Sequence, residues 1–288
     1  MKCINMKIVF SALMLASCFA CAGAFAQTAP DSGVPRSTES AAAMPDAPQM
    51  KTIGVIGGVS WASSIEYYRF MNEMVMAKLG GLHSAKVLMF SIEFGEFSKQ
   101  ERLAEKGDWV PLRRTMLDAA DRLKRGGADF LIICSNTLNS TAELIEENVK
   151  IPVLHIADAV GAEIQRKGLK KVLLLGTKYT MDQTFYKTKL AKYGIEVVVP
   201  TDSEQDYINA VIFDELCADR VYDKSRKGYQ RIIKRIEKEE GVQGVILGCT
   251  EIPLLIKQKD VDIPVFDSTY IHSAAAVDYA LTDLPKGN

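Results

Sequence analysis

Val245-Ile246-Leu247-Gly248-Cys249-Thr250-Glu251 is a short apolar run that ends in glycine and opens at once onto a cysteine with a hydroxyl and a carboxylate beside it. An unbroken apolar run of this length reads as a strand buried on both faces, as in a parallel sheet. Cys249 then falls just past the carboxyl end of the strand, where open α/β sheets place their ligands. The stretch Phe130-Leu131-Ile132-Ile133-Cys134-Ser135-Asn136-Thr137 has the same form.

Working outward, Lys51 to Ser60 is a strand that ends in Gly57-Gly58, with a helix expected from about Ser63 whose apolar face carries Tyr67, Phe70, Met71 and Met74. The glycine pair allows backbone amides to approach an anion, although the spacing is not that of a dinucleotide fingerprint. Further strands are expected over 86–92, 128–134 and 151–155, with helices over 109–125 and 140–147. The pattern then restarts. Strands are expected from Lys171, over 195–199, 244–249 and 263–267, with helices over 181–193, 203–217, 224–240 and 252–258. Alternation of strand and helix predicts doubly wound parallel sheets.

Three landmarks recur in the same order. Lys51 to Ser60 matches Lys171 to Thr180, Ser135 matches Cys249, and Ile151-Pro-Val-Leu-His155 matches Ile263-Pro-Val-Phe-Asp267, at offsets of 120, 114 and 112 residues. Such a repeat predicts an α/β fold of two similar lobes about a pseudo-two-fold axis, with the active site in the cleft between them. The expected division is a first lobe of 51–160 plus 265–288 and a second of 161–264. Ser135 and Cys249 are expected to meet across the cleft, lined by Gly58, Val59 and Ser60 on one side and Thr177, Lys178, Tyr179 and Thr180 on the other.

The chain has 288 residues, 48% of them hydrophobic and 25% charged, with a net charge of -1. That suits a globular protein with ample core, and the balanced charge gives no footprint for nucleic acid. At the N-terminus, basic Lys2 and Lys7, the apolar run 8–21 and Ala24-Phe25-Ala26 read as a secretory signal cleaved after Ala26. Leu15-Ala16-Ser17-Cys18 offers the alternative of a lipoprotein anchored at Cys18. Either way the mature protein is expected outside the cytoplasm, in the periplasm, and on a membrane only if Cys18 is lipidated. Residues 27–50, rich in Pro, Ala, Ser and Thr, are expected to form a disordered linker.

Cleavage after Ala26 leaves Cys134, Cys217 and Cys249, an odd number that cannot all pair. Cys217, at helical spacing, reads as core. An unpaired Cys249 at the cleft calls for a functional reason. Two side chains across a small ligand suit proton removal on one face of a carbon and return on the other. A thiol whose ordinary pKa is about 8.5 serves if its surroundings tune it, here through the N-terminus of the following helix. Asn136, Thr137 and Thr250 are placed to bind a carboxylate and stabilise charge developing on it. Glu251 either orients Thr250 or is simply a first-turn acid. Lys178 and Arg69 are candidate readers of a side-chain carboxylate. His83, His155 and His272 have no metal-ligand spacing and read as structural.

From Lys51 to Ala280 the chain resembles the cofactor-independent aspartate/glutamate racemases, through Gly57-Gly58-x-Ser60-Trp61, Asn136-Thr137, Gly176-Thr177-x-Tyr179-Thr180 and Gly248-Cys249-Thr250-Glu251. The resemblance implies an amino-acid substrate, no pyridoxal phosphate, no metal, one catalytic residue from each lobe and a homodimer. The glutamate following Cys249-Thr250 resembles aspartate racemases. Ser135 stands where many members carry the first cysteine, as in the atypical L-aspartate/glutamate and broad-specificity branch. Val59 stands where that branch usually has methionine. By analogy, Cys249 is implied to face the α-hydrogen of the L-enantiomer, with Ser135 or a relayed water opposite. Cys134, one residue out of phase, cannot replace Ser135 on a strand. Two other readings stay open: a cofactor-independent decarboxylase of malonate type, and a secreted amino-acid binding protein.

Overall fold

The computed structural model describes residues 50–283. The signal, lipidation and linker expectations for residues 1–49 lie outside the described residues.

The first sheet takes β1 (Ile53–Gly57), β2 (Val87–Ser91) and β3 (Phe130–Ile133) in the order β2-β1-β3, all parallel. The second takes β4 (Lys171–Gly176), β5 (Glu196–Val198), β6 (Val245–Gly248) and β7 (Val265–Asp267) in the order β5-β4-β6-β7, again parallel. The two orders correspond strand for strand, β1 to β4, β2 to β5 and β3 to β6, so the repeat in the sequence is a repeat in the fold. The counterpart of β7 in the first sheet is a single parallel bridge, Leu131 to Val153, so the strand expected over 151–155 is reduced to one pairing.

Helices α1 (Trp61–Leu79), α2 (Phe94–Glu105), α3 (Val110–Arg125), α4 (Ala142–Val149) and α5 (Ile156–Arg166) accompany the first half. The second half has α6 (Lys178–Asp182), α7 (Thr184–Ala191), α8 (Asp202–Asp214), α9 (Asp223–Glu240), α10 (Ile252–Leu255) and α11 (Ser268–Ala280). Helix α3 shows why its segment is helical. Pro111 sits in the first turn, Leu112, Met116, Ala119, Ala120 and Leu123 form one buried stripe, and Gly127 turns the chain away with φ +96°. Helices α2 and α5 had no sequence expectation, and the single helix expected over 181–193 is broken into α6 and α7 at Gln183.

Alternation along the strands sorts the core. Ile53, Val55, Phe130, Ile132 and Cys134 pack with Tyr67 and Met71 of α1 and Val277 of α11. Ile56, Leu131 and Ile133 pack on the opposite face with Met116 of α3 and Ile145 of α4. In the second sheet Leu173, Leu175, Val245, Leu247 and Cys249 share a cluster with α8 and α9, while Val172, Leu174, Ile246 and Phe266 meet α5 and α7. Strand parity therefore maps Leu131, Ile133 and Ser135 onto Val245, Leu247 and Cys249. Cys134 falls on the other parity, fully inside the apolar layer, and its thiol is pushed up by burial alone.

The expected boundary at 264/265 cuts β7 from its own sheet, because Val265–Asp267 pairs with β6; α11, which follows, packs against α1. Cys217 is also not core. Helix α8 ends at Asp214, a short 3₁₀ turn over Leu216–Ala218 resets the phase, and Leu216 is buried while Cys217 is exposed. Among the described residues no helix is long and apolar enough to cross a membrane.

Candidate active site at the carboxyl ends of the two sheets

The register sets the site. Ile56 pairs with Ile133, and Cys134 N–H donates to the Ile56 carbonyl, so the loop after β1 lies beside Ser135. Gly176 pairs with Gly248, which puts Thr177 beside Cys249. A Cβ on Gly248 would come within 3.0 Å of the Leu175 carbonyl, so only glycine allows this approach.

Gly58 has φ +88°, and a Cβ there would lie 2.2 Å from the Ile92 carbonyl. Its amide donates to Ser64 Oγ at 2.9 Å. Ser60 is held at φ +64°, a region that non-glycine residues rarely adopt outside functional loops. Its carbonyl accepts from Ser63 Oγ and Ser64 Oγ, which pin the turn. The two serines were not anticipated from the sequence, although their position at the start of α1 is a signal for such turn-capping hydroxyls. Val59 leans on the α3 side of the core.

Ser135 Oγ accepts from the Leu138 amide at 3.4 Å, at the start of a 3₁₀ helix over Thr137–Thr141. Asn139, another residue that sequence reasoning missed, fixes this loop. Its Nδ2 donates to the carbonyls of Ile133 and Ser135, and its Oδ1 accepts from the Ile156 amide. Asn136 reaches toward the second sheet: its Nδ2 donates to Ser268 Oγ at 3.0 Å, and Ser268 Oγ donates to the Leu247 carbonyl at 2.7 Å. Its Oδ1 is buried without a partner among the described residues. Thr137 Oγ1 lies 3.1 Å from Thr180 Oγ1 and 3.4 Å from Thr177 Oγ1. Thus the loop bearing Ser135 is tied to β6 by the chain Asn136–Ser268–Leu247 and to the loop after β4 by a cluster of three threonines.

Cys249 is 8% exposed, and its Sγ–H donates to Glu251 Oε2 at 3.1 Å. Thr250 Oγ1 donates to the same oxygen at 2.7 Å. Glu251 precedes α10 but makes no capping bond, so it serves the neighbouring side chains rather than the helix. Burial first, then the Glu251 charge, holds the Cys249 thiol well above its ordinary pKa. The Glu251 backbone amide at the start of α10 does pull the thiol down, but burial and the Glu251 carboxylate outweigh it. Tyr179 turns its ring toward Trp109, at 5.8 Å between centroids.

Two candidate cations are engaged elsewhere: Lys178 pairs with Asp206, and Arg69 is forked between Glu66 and Glu73 on the solvent face of α1. His155 caps α5 by accepting from the Ala157 amide, as Asp267 caps α11. His272 lies between the Tyr67 hydroxyl and the Leu154 carbonyl. Among the described residues no group of three or more His, Cys, Asp or Glu side chains could hold a metal ion.

Comparison with known proteins agrees with this geometry. The RacX broad specificity amino-acid racemase of Bacillus subtilis (strain 168) is 25% identical over 162 residues, 56% of this chain and 69% of that protein. The glutamate racemase of Aquifex pyrophilus is 26% identical over 163 residues, and the match spans 60% of its length. Among crystal structures, a Yersinia pestis protein provisionally described as an Asp/Glu racemase is 48% identical with a TM-score of 0.75, over 81% of this chain and 100% of that one. An aspartate racemase homologue from Pyrococcus horikoshii OT3 is 38% identical with a TM-score of 0.71, over 80% of this chain and 99% of that one. The family model for Asp/Glu/Hydantoin racemases matches residues 56–276, both sheets and both loops included, and the chain therefore belongs to that family of isomerases.

Proposed function

We propose that the protein racemises an acidic amino acid at Cα without a cofactor, with Cys249 as the main acid/base and Ser135 at the opposite position. The observation that carries this is the buried Cys249–Glu251 pair at the parity position equivalent to Ser135. In this reading Glu251 accepts the thiol proton and the Cys249 thiolate takes the α-hydrogen of the L-enantiomer. The C–H bonding pair passes into the substrate carboxylate, held by Asn136, Thr137 and Thr250. A proton then returns to the other face of Cα from Ser135 or a water on it. The unpartnered Asn136 Oδ1 is matched to the substrate ammonium, which would satisfy a buried acceptor otherwise left costly. No carboxylate or imidazole hydrogen-bonds Ser135 among the described residues, so proton transfer on the Ser135 face is the slower half of the exchange in either direction.

Deuterium incorporation at Cα, followed by NMR in D₂O with L- and D-aspartate, L- and D-glutamate and a neutral amino acid, tests this. Exchange with inversion that disappears in Cys249→Ala supports the reading; normal racemisation by that variant refutes it. Export rests on residues 1–26, and enzyme confined to the cytoplasmic fraction would overturn it. A homodimer is the proposed assembly. Exposed Trp61, Ile65, Tyr68 and Met76 on one side of α1 suit contact with a second copy, and a monomeric mass in sedimentation would count against it.

A further inference from the structure

A second cavity of about 280 Å³ is bounded by Trp109 and Arg113 of α3, Ser140, Thr141 and Leu144 around the start of α4, and Tyr179 of α6. It therefore joins elements that follow the first sheet to one that follows the second. Ser135, Asn136 and Cys249 do not line it, and Tyr179, expected in the cleft, turns its ring to Trp109 on this side instead. Its lining adjoins the three threonines along the chain. Thr137 precedes Ser140 by one 3₁₀ turn, and Thr177 and Thr180 flank Tyr179.

The chemistry of the lining is specific. Arg113 makes no ion pair among the described residues, in contrast to Arg69, Arg122, Arg125, Arg166, Arg226 and Arg235. Its guanidinium lies 5.9 Å from the Trp109 ring centroid, which orients it without neutralising it. Trp109 and Tyr179 provide two tilted aromatic walls, and Ser140 adds a hydroxyl beside Tyr179, while the Thr141 hydroxyl is committed to the Leu138 carbonyl. One unpaired guanidinium and flat apolar walls, with the Ser140 hydroxyl at their edge, match a planar monocarboxylate.

We infer that this cavity is an accessory site for a small planar carboxylate, separate from the substrate cleft, which bridges the two lobes through Arg113 and Tyr179. Occupancy would brace the threonine cluster behind Tyr179 and so change turnover in the neighbouring cleft.

Benzoate is the probe, with benzamide as the uncharged control, on the full chain in the Trp61→Phe background so that Trp109 is the fluorophore. The expected result is saturable quenching by benzoate and at least tenfold weaker binding of benzamide. Arg113→Gln is expected to weaken benzoate at least tenfold, and the affinity should persist within a few-fold when Cys249→Ala protein is saturated with aspartate or glutamate. Unchanged benzoate affinity in Arg113→Gln would overturn the site, as would no binding at tens of millimolar. Full competition by the amino acid would assign the benzoate to the substrate cleft and overturn it too. The readout is binding, so failure of the proposed racemisation would leave the result interpretable.

Discussion

The Cys249 thiol and the Glu251 carboxylate lie 3.1 Å apart inside the protein, with Thr250 donating to the same carboxylate oxygen. The pair couples a thiol that burial keeps protonated to an acceptor poised for its proton. Replacing Glu251 by glutamine removes that acceptor and the charge that holds the thiol pKa up. Glu251→Gln is expected to lower kcat by about 10- to 100-fold. It should also shift the midpoint of Cys249 alkylation by iodoacetamide to lower pH, as read by mass spectrometry across a pH series.

Ser135 tests the asymmetry of the site. Ser135→Ala is expected to reduce inversion by at least about tenfold while Cα exchange of one enantiomer persists, because proton return on the second face is lost and the Cys249 face is kept. Ser135→Cys places a thiol at the parity partner of Cys249 and should raise kcat/KM for both enantiomers together, since their equilibrium constant is one. Chiral chromatography of both enantiomers run in D₂O measures the two rates.

Gly58 is expected not to tolerate a side chain. Its φ of +88° and the 2.2 Å approach of a Cβ to the Ile92 carbonyl predict that Gly58→Ala destabilises by about 2–3 kcal/mol. It should also reduce activity, since the loop that carries Val59 and Ser60 must shift. Urea denaturation and KM for the amino acid check the two effects.

Buried histidine sets the acid limit. His272, fully buried, donates from Nε2 to the Leu154 carbonyl, accepts from the Tyr67 hydroxyl on Nδ1, and is lowered by burial to about 4. The unfolded chain binds a proton near 6.5 that the folded form refuses, so the stabilisation is complete above about 6.5 and lost as pH falls toward 4. The expected loss is about 3 kcal/mol from this residue. His155, lowered to about 3 by burial first and then by Lys189, adds to the same trend. Thermal melts between pH 7.5 and 4.5 should show the fall, and His272→Gln, less stable at pH 7.5, should flatten it.

Much of the fold was legible because the central strands β1, β3, β4 and β6 are buried on both faces, and unbroken apolar runs mark them whatever surrounds them. The repeat fixed the correspondence of Ser135 with Cys249, and strand parity in the structure gives the same pairing. Cys217 was misplaced because its helix ends three residues earlier, at Asp214, and a helical period says nothing once the helix stops. The strand expected at Val153 shrank to one bridge, although its counterpart after Pro264 pairs over three residues.

The sequence by itself determined the two α/β halves, the loops that carry Ser135 and Cys249, and the family, because these rest on local patterns of apolar residues, glycines and hydroxyls. Tertiary structure alone decided which charges are free and which thiol is buried. Lys178 and Arg69 found partners, Arg113 did not, and Cys249 came to rest against Glu251. Those outcomes depend on which side chains meet through space and on how much water each loses, and neither is written in the spacing of residues along the chain.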